Sequence, residues 1–136
     1  MPGSCGLDFG CGPGPTLSVM FEEAGFSMAV YDRFYADDRQ VLNRKYDFVT
    51  ASEVVEHLRD PGRDLNMLWT LLKPGGYLGI MTKQVVDRKA FSQWHYIHDP
   101  THVCFFSPAT FQWLAGLWQA ELQIIAKDVI VFRKRK

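Results

Sequence analysis

Cysteine is scarce in this sequence: Cys5, Cys11 and Cys104 form an odd set without paired spacing. That excludes a disulfide framework and points to a reducing compartment, the cytoplasm. No apolar run approaches the roughly eighteen residues that cross a bilayer. Met1-Pro2-Gly3-Ser4 carries neither the basic nor the apolar region of a signal peptide. The expectation is a chain neither exported nor held in a membrane. An excess of charge is also missing, since fifteen basic and fifteen acidic side chains cancel. Nothing in the overall field therefore steers the chain to nucleic acid. The one basic run, Arg133-Lys134-Arg135-Lys136, reads as a solvated tail. Internal repeats, low-complexity tracts and Gly/Ser linkers are absent as well. With 136 residues, 47% of them hydrophobic, the chain has material for one core, so residues 1–136 are expected to form one domain.

What is present alternates between two periods. Leu17, Met20, Phe21 and Ala24 fall at helical spacing between Pro15 and Gly25, a first-turn residue and a stop. Residues 28–31 read as a short buried strand ending at Asp32, and residues 46–51 as another, with Gln40-Val41-Leu42 at best a stub between them. Leu65, Leu68, Trp69 and Leu72 repeat the helical stripe, which Lys73-Pro74-Gly75-Gly76 ends before a strand over residues 77–82. Ser107-Pro108 is a cap and first-turn pair for a helix that carries Phe111, Leu114, Ala115 and Trp118 on one face. A hairpin with strands at 122–126 and 129–133, turning at Lys127-Asp128, closes the pattern. Strands alternating with amphipathic helices predict an α/β, Rossmann-like fold. Its sheet is mostly parallel with helices on both faces and a C-terminal antiparallel hairpin. Ligands of such sheets collect at the carboxyl ends of the strands, where Gly10, Asp32, Ser52 and Lys83 fall.

The densest signal is Leu7-Asp8-Phe9-Gly10-Cys11-Gly12-Pro13-Gly14, a strand running into a helix through three glycines. Glycine is needed there because the backbone turns sharply and comes close to a ligand. Asp32 ends the next strand about twenty residues on, where a carboxylate can accept both hydroxyls of a ribose. A dinucleotide fingerprint requires glycine where Pro15 stands, which disfavours NAD. Asp8-Phe9-Gly10 imitates a kinase metal signature, but no strand lysine or His-Arg-Asp loop accompanies it.

Asp8-x-Gly10-x-Gly12-x-Gly14 resembles the first motif of class I S-adenosylmethionine-dependent methyltransferases. Asp32, the stretch Tyr46-Asp47-Phe48-Val49-Thr50-Ala51-Ser52-Glu53-Val54-Val55-Glu56-His57-Leu58, and Leu71-Leu72-Lys73-Pro74-Gly75-Gly76 are similar to further motifs of that family, in its order. The resemblance implies S-adenosylmethionine as cofactor. Asp8 would orient the methionine moiety, and Gly10, Cys11, Gly12 and Gly14 would form the turn beside it. Asp32 would grip the ribose, Arg33 or Phe34 would cover the adenine, and Ser52 and Glu53 would line the pocket near the sulfonium. Two departures stand out. The strand begins almost at Met1, so N-terminal lid helices are expected to be absent and an oligomer or a partner to cover the open cofactor site. Residues 33–45 leave little room for a third strand and its helix, which leaves Asp37 or Asp38 as weak substitutes for the adenine-edge contact.

The substrate side is expected in Trp94-His95-Tyr96-Ile97-His98-Asp99-Pro100-Thr101-His102-Val103, with Trp94, Tyr96 and His57 facing the acceptor. Pro100 prevents one helical face of His95, His98 and His102, and no cysteine or second carboxylate completes a ligand set, so no metal is expected. If the acceptor is a hydroxyl or a protonated amine, His102 is the first candidate base, ahead of His57, Tyr96 and Asp99. The expected activity is methyl transfer to a small molecule. A cofactor-binding module or incomplete subunit without activity of its own is the alternative, and RNA or protein acceptors stay open.

Overall fold

The computed structural model describes residues 3–136; Met1 and Pro2, half of the tetrapeptide read above for a signal region, lie outside it. The chain order is β1 (Cys5–Phe9), α1 (Thr16–Glu23), β2 (Ser27–Tyr31), β3 (Tyr46–Ser52), α2 (Pro61–Leu71), β4 (Leu72–Met81), α3 (Arg88–Ser92), α4 (Pro108–Trp118), β5 (Glu121–Ile124) and β6 (Val129–Arg133). The six strands form one sheet in the order β2-β1-β3-β4-β6-β5. β1 pairs in parallel with β2 and β3, and β3 with β4. β6 runs antiparallel to both β4 and β5. This is the mostly parallel sheet with a terminal antiparallel hairpin that the alternation of periods predicts.

Register explains the core. Leu7 pairs with Val49, Val49 with Leu78 and Leu78 with Phe132, so these side chains stand in one row on one face. All four are fully buried. Over them lie Leu65, Leu68 and Trp69 of α2 and Phe111 and Leu114 of α4, all buried. Trp69 stacks on Trp118 at 4.7 Å, and both meet Phe132 edge-on. α4 starts at the expected cap: Ser107 Oγ accepts from the Thr110 N–H at 3.2 Å, and the Thr110 hydroxyl accepts from the Ser107 N–H. On the opposite face α1 sets Phe21 against Phe48 at 4.8 Å. Next to it Tyr77 of β4 is 44% exposed.

That uneven cover accounts for one departure from the sequence expectation. The stripe Leu17, Met20, Phe21, Ala24 is not the buried face of α1. Met20 is 60% exposed and Ala24 is exposed too, whereas Ser18 is buried with its hydroxyl on the Pro15 carbonyl at 2.8 Å. A helix at the thinly covered side of a sheet can leave apolar positions in water without losing its seat. Three further boundaries differ. Residues 39–43 form a 3-10 turn capped by Asp38, not a strand stub, and the Val41 carbonyl accepts the Tyr46 hydroxyl at 2.7 Å. β4 starts at Leu72 rather than 77, because Leu72 still pairs with Tyr46 and Lys73-Pro74-Gly75-Gly76 forms a bulge before Tyr77 pairs with Phe48. β5 ends at Ile124, so the hairpin turns over residues 125–128. β2 is an edge strand, and only Tyr31 in it is buried.

Candidate functional site

The carboxyl ends of β1, β2, β3 and β4 share one edge of the sheet, and there the chain leaves the regular ladder. After β1 the backbone enters the left-handed region at Gly10 (φ 77°) and Gly12 (φ 69°), conformations open chiefly to glycine. The Gly10 and Cys11 N–H groups donate to the Tyr31 carbonyl at 2.7 and 3.2 Å, tying the turn to the end of β2. Asp32 completes the tie. Its Oδ2 accepts from the Gly12 N–H at 2.9 Å, and its Oδ1 from the Phe34 and Tyr35 N–H groups at 2.8 and 3.2 Å. One buried carboxylate thereby holds both the glycine turn and the loop after β2. Around it stand Phe34, 81% exposed with Arg33 5.7 Å above its ring, and Tyr35, also exposed.

The glycines of the turn differ in their surroundings. A Cβ on Gly10 would come within 2.3 Å of a Val54 methyl, whereas one on Gly12 or Gly14 would meet nothing within 4 Å. Gly10 is thus required by packing, and Gly12 borders open space. Asp8, near the end of β1, is buried and accepts the Thr50 hydroxyl at 2.9 Å. Burial pushes its carboxyl up, against a smaller downward pull from Thr50. A carboxyl raised in the folded state favours folding most below its unfolded pKa, and that contribution fades as pH rises through the folded value. Asp8→Asn is therefore expected to hold or raise Tm at pH 7 and to flatten the Tm–pH profile above pH 4, as thermal melts across pH will show. Burial and the carboxylates of Asp32 and Asp8 push the Cys11 thiol up, which keeps it protonated.

The β3 end supplies the second half of the site. Ser52 Oγ lies 3.3 Å from Met81 Sδ, and Glu53 takes a left-handed backbone (φ 55°) with its N–H on the Met81 carbonyl. A non-glycine residue held there carries strain of the kind found at ligand sites. Burial raises the Glu53 carboxyl, and so does Glu56 beside it. Glu56 is fully buried, and its Oε2 accepts the Thr82 hydroxyl at 3.0 Å; Thr82 in turn meets the Tyr96 hydroxyl at 3.2 Å. Burial drives the Tyr96 phenol strongly upward, so it stays protonated. The Tyr96 ring is itself buried, packed on Trp94 at 4.7 Å and on His102 at 4.1 Å.

Two imidazoles close the cluster. His57 Nδ1 lies 2.9 Å from the Thr101 carbonyl and His102 Nδ1 2.7 Å from the Tyr96 carbonyl. A carbonyl has no proton to give, so both rings donate from Nδ1, which leaves Nε2 as the lone-pair nitrogen of the neutral tautomer. The rings are 4.8 Å apart. Beside this cluster a cleft of about 1030 Å³ opens among Lys83, Val85, Phe91, Trp94, Ile124 and Lys127.

The sequence-predicted residues thus fall into three places. Asp8, Gly10, Cys11, Gly12, Gly14, Asp32, Arg33 and Phe34 gather at the β1–β2 edge. Ser52 and Glu53 lie at the end of β3. Trp94 lines the cleft, while Tyr96, His57 and His102 pack together next to it. Sequence reasoning missed Glu56 and Thr82 as parts of the site. The signal for Glu56 was a lone acid inside Val54-Val55-Glu56-His57-Leu58, where neighbouring apolar side chains bury it. Val54 was also missed: it links the glycine turn to this segment.

Comparison with known proteins agrees with this geometry. The profile of a family described as "Methyltransferase domain" matches residues 2–127. A ubiquinone biosynthesis O-methyltransferase of Serratia proteamaculans is 31% identical over 77 residues, which cover 57% of this chain and 32% of that protein. The chain therefore matches about a third of the length of this curated relative. Among solved structures, the 1,6-didemethyltoxoflavin-N1-methyltransferase of Burkholderia thailandensis, determined with 1,6-didemethyltoxoflavin and S-adenosylhomocysteine bound, aligns with a TM-score of 0.70. It is 15% identical and covers 99% of this chain and 72% of its own. A Haloferax volcanii methyltransferase solved in complex with the Trm112 activator aligns with a TM-score of 0.66, at 15% identity over 99% of this chain and 84% of its own. At such identities the structures speak for the fold alone.

Proposed function

The chain belongs to the methyltransferase-domain family, and from that membership we propose that it transfers a methyl group from S-adenosylmethionine to a hydroxyl of a small aromatic molecule. One observation carries the cofactor part: the Gly12 N–H held at 2.9 Å by Asp32 Oδ2, on a turn whose Gly12 and Gly14 face open space. That arrangement gives a nucleoside a backbone surface to lie on and a carboxylate beside its ribose. Asp32 Oδ2 keeps one lone pair for a ribose hydroxyl while the carboxylate holds the turn. Phe34 and Arg33 are exposed near the adenine end, and Ser52 and Glu53 flank the sulfonium end. The largely apolar cleft beside Phe91 and Trp94 supports a small apolar acceptor, and the balanced charge argues against a polyanion. The O-methyl chemistry named for the Serratia relative supports oxygen as the acceptor atom.

Methyl transfer from a sulfonium is an in-line displacement, so alignment and exclusion of water supply most of the rate. Positioning alone is worth up to about 7–11 kcal/mol. His102, through Nε2 of its neutral form, is the base that this reading assigns to the acceptor proton, with cofactor affinity independent of it. One sheet runs from Cys5 to Arg133, which supports residues 1–136 as one domain. Three unpaired thiols support the cytoplasm, and among the described residues no helix is long and apolar enough to cross a membrane.

The test is S-adenosylhomocysteine production, followed by mass spectrometry, from S-adenosylmethionine and a panel of phenols and catechols. Turnover of at least one acceptor is expected. A second reading, a cofactor-binding module that works only with another polypeptide, is favoured by Phe34 and Tyr35, which are 81% and 63% exposed beside the cofactor edge. Binding of the sulfur nucleosides without turnover would select it. Asp32→Ala is expected to weaken S-adenosylhomocysteine by about 1–3 kcal/mol through lost hydrogen bonds. It should also lower Tm, since the Gly12, Phe34 and Tyr35 N–H groups lose their acceptor. Unchanged affinity in isothermal titration would reject the ribose role.

A further inference from the structure

We propose that Glu56, His57 and His102 hold a divalent cation, and that the cation takes up the hydroxyl oxygen of the acceptor. The second half rests on the methyltransferase reading; the cation site does not. The three residues each offer one ligand atom, and these atoms lie within 4.8 Å of one another. His57 Nε2 is 3.8 Å from Glu56 Oε1. Ligand atoms around a tetrahedral ion with bonds near 2.1 Å stand about 3.4 Å apart, so a small rotation of side chains closes the set.

Glu56 Oε1 is the independent observation. The side chain is fully buried, Oε2 is satisfied by Thr82, and Oε1 has no hydrogen-bond partner. A buried carboxylate oxygen left so is costly unless something positive or protic meets it. It lies 3.8 Å from His57 Nε2, the ring nitrogen that the Thr101 carbonyl does not engage. The imidazoles are also prepared as ligands. Each spends its Nδ1–H on a backbone carbonyl, the kind of contact that orients metal-binding histidines. The backbone keeps the two segments together, because the Glu56 carbonyl accepts from the Val103 and Cys104 N–H groups at 2.8 and 3.2 Å. Asp99 Oδ2, 3.5 Å from His102 Nε2, adds a carboxylate that the Thr101 hydroxyl and N–H hold below the usual range. Glu53 adds another beside Glu56.

Two nitrogens and a carboxylate suit borderline cations such as Zn²⁺, Mn²⁺, Fe²⁺ or Co²⁺ better than Ca²⁺. His57 is partly exposed, which leaves the cation a side open to the acceptor. Coordinated there, the hydroxyl loses its proton to water. Its oxygen then bonds to the methyl carbon as the carbon–sulfur bond breaks, and the sulfonium becomes a neutral thioether. His102 in this arrangement is a ligand and the cation replaces it as the means of activating the hydroxyl.

The chain stripped with a chelator is to be titrated with Zn²⁺ by calorimetry and with Co²⁺ by visible absorption. One ion per chain is expected, weakened by roughly tenfold or more in His57→Ala and in His102→Ala, with S-adenosylhomocysteine affinity unchanged in both. Glu56→Gln keeps the shape and should weaken the ion similarly. Should a variant fail to fold, ring ¹⁵N spectra of the wild-type chain decide: Zn²⁺ is expected to shift His57 and His102. Absence of a bound ion, binding indifferent to both histidine variants, or shifts at His95 and His98 instead would overturn the site. A proton shared between Glu56 and Glu53 gives the first of those results. If the ion binds and the sulfur nucleosides do not, the site stands and the methyltransferase reading falls.

Discussion

Gly12→Val is expected to abolish S-adenosylhomocysteine binding, a loss beyond about a hundredfold, while the chain remains folded. No protein atom lies within 4 Å of a Cβ at this position, so the branched side chain enters the space assigned to the nucleoside and nothing else. At φ 69° valine carries strain of roughly 1–2 kcal/mol, which lowers Tm without unfolding a domain of this size. Gly12→Asn separates the two effects, since asparagine tolerates the left-handed region. It should lose binding with Tm nearly intact. Wild-type affinity in either variant would mean that the space beside Gly12 is not where the nucleoside lies.

Two residues upstream the same kind of substitution should act on stability. Gly10→Ala places a methyl 2.3 Å from Val54 Cγ2 at a backbone φ of 77°. Overpacking costs about 1–3 kcal/mol and the left-handed backbone about 1–2 more. We expect a loss of roughly 2–4 kcal/mol in chemical denaturation, with cofactor affinity falling because the turn and the β3 segment shift together. Val54→Ala in the same chain should restore part of the stability by making room. A Gly10→Ala chain as stable as wild type would show that the turn does not bear on Val54.

The contrast between these glycines marks where sequence reading stops. Motif and spacing were enough to set Gly10, Gly12 and Asp32 at one edge of a parallel sheet, because that follows from strand-turn-helix order and a separation of 20 residues. They gave both glycines one role, closeness to a ligand. Which of them packs on protein depends on Val54, a contact across 44 residues that no local pattern carries. Asp32 was legible as an acid at a strand end, but not as the group that clamps Gly12, Phe34 and Tyr35. The α4 face was read from its stripe because Phe132 and Trp69 pack against it. The α1 face was misread because its side of the sheet is thinly covered, so apolar spacing there says little about burial.

The histidine segment shows the same limit from the other side. Read along the chain, His95, His98 and His102 are separated by Pro100 and lack a cysteine or second carboxylate. Folded, His102 leaves that group and meets His57 and Glu56, whose place is fixed by the end of β3 and by the Val103 and Cys104 N–H groups. His102 comes from a segment too far from Glu56-His57 for spacing to reveal the set. The same segment also brings Trp94 to the cleft and leaves Tyr96 buried beneath it.

Everything proposed for the chemistry presupposes that the turn at Gly10 to Gly14 holds a sulfur nucleoside. Isothermal titration of the wild-type chain with S-adenosylhomocysteine, and with NAD in parallel, addresses that directly. We predict one saturable site for S-adenosylhomocysteine, lost in Gly12→Val, and none for NAD. A folded chain that binds neither S-adenosylhomocysteine nor S-adenosylmethionine, or that prefers NAD, would contradict the account.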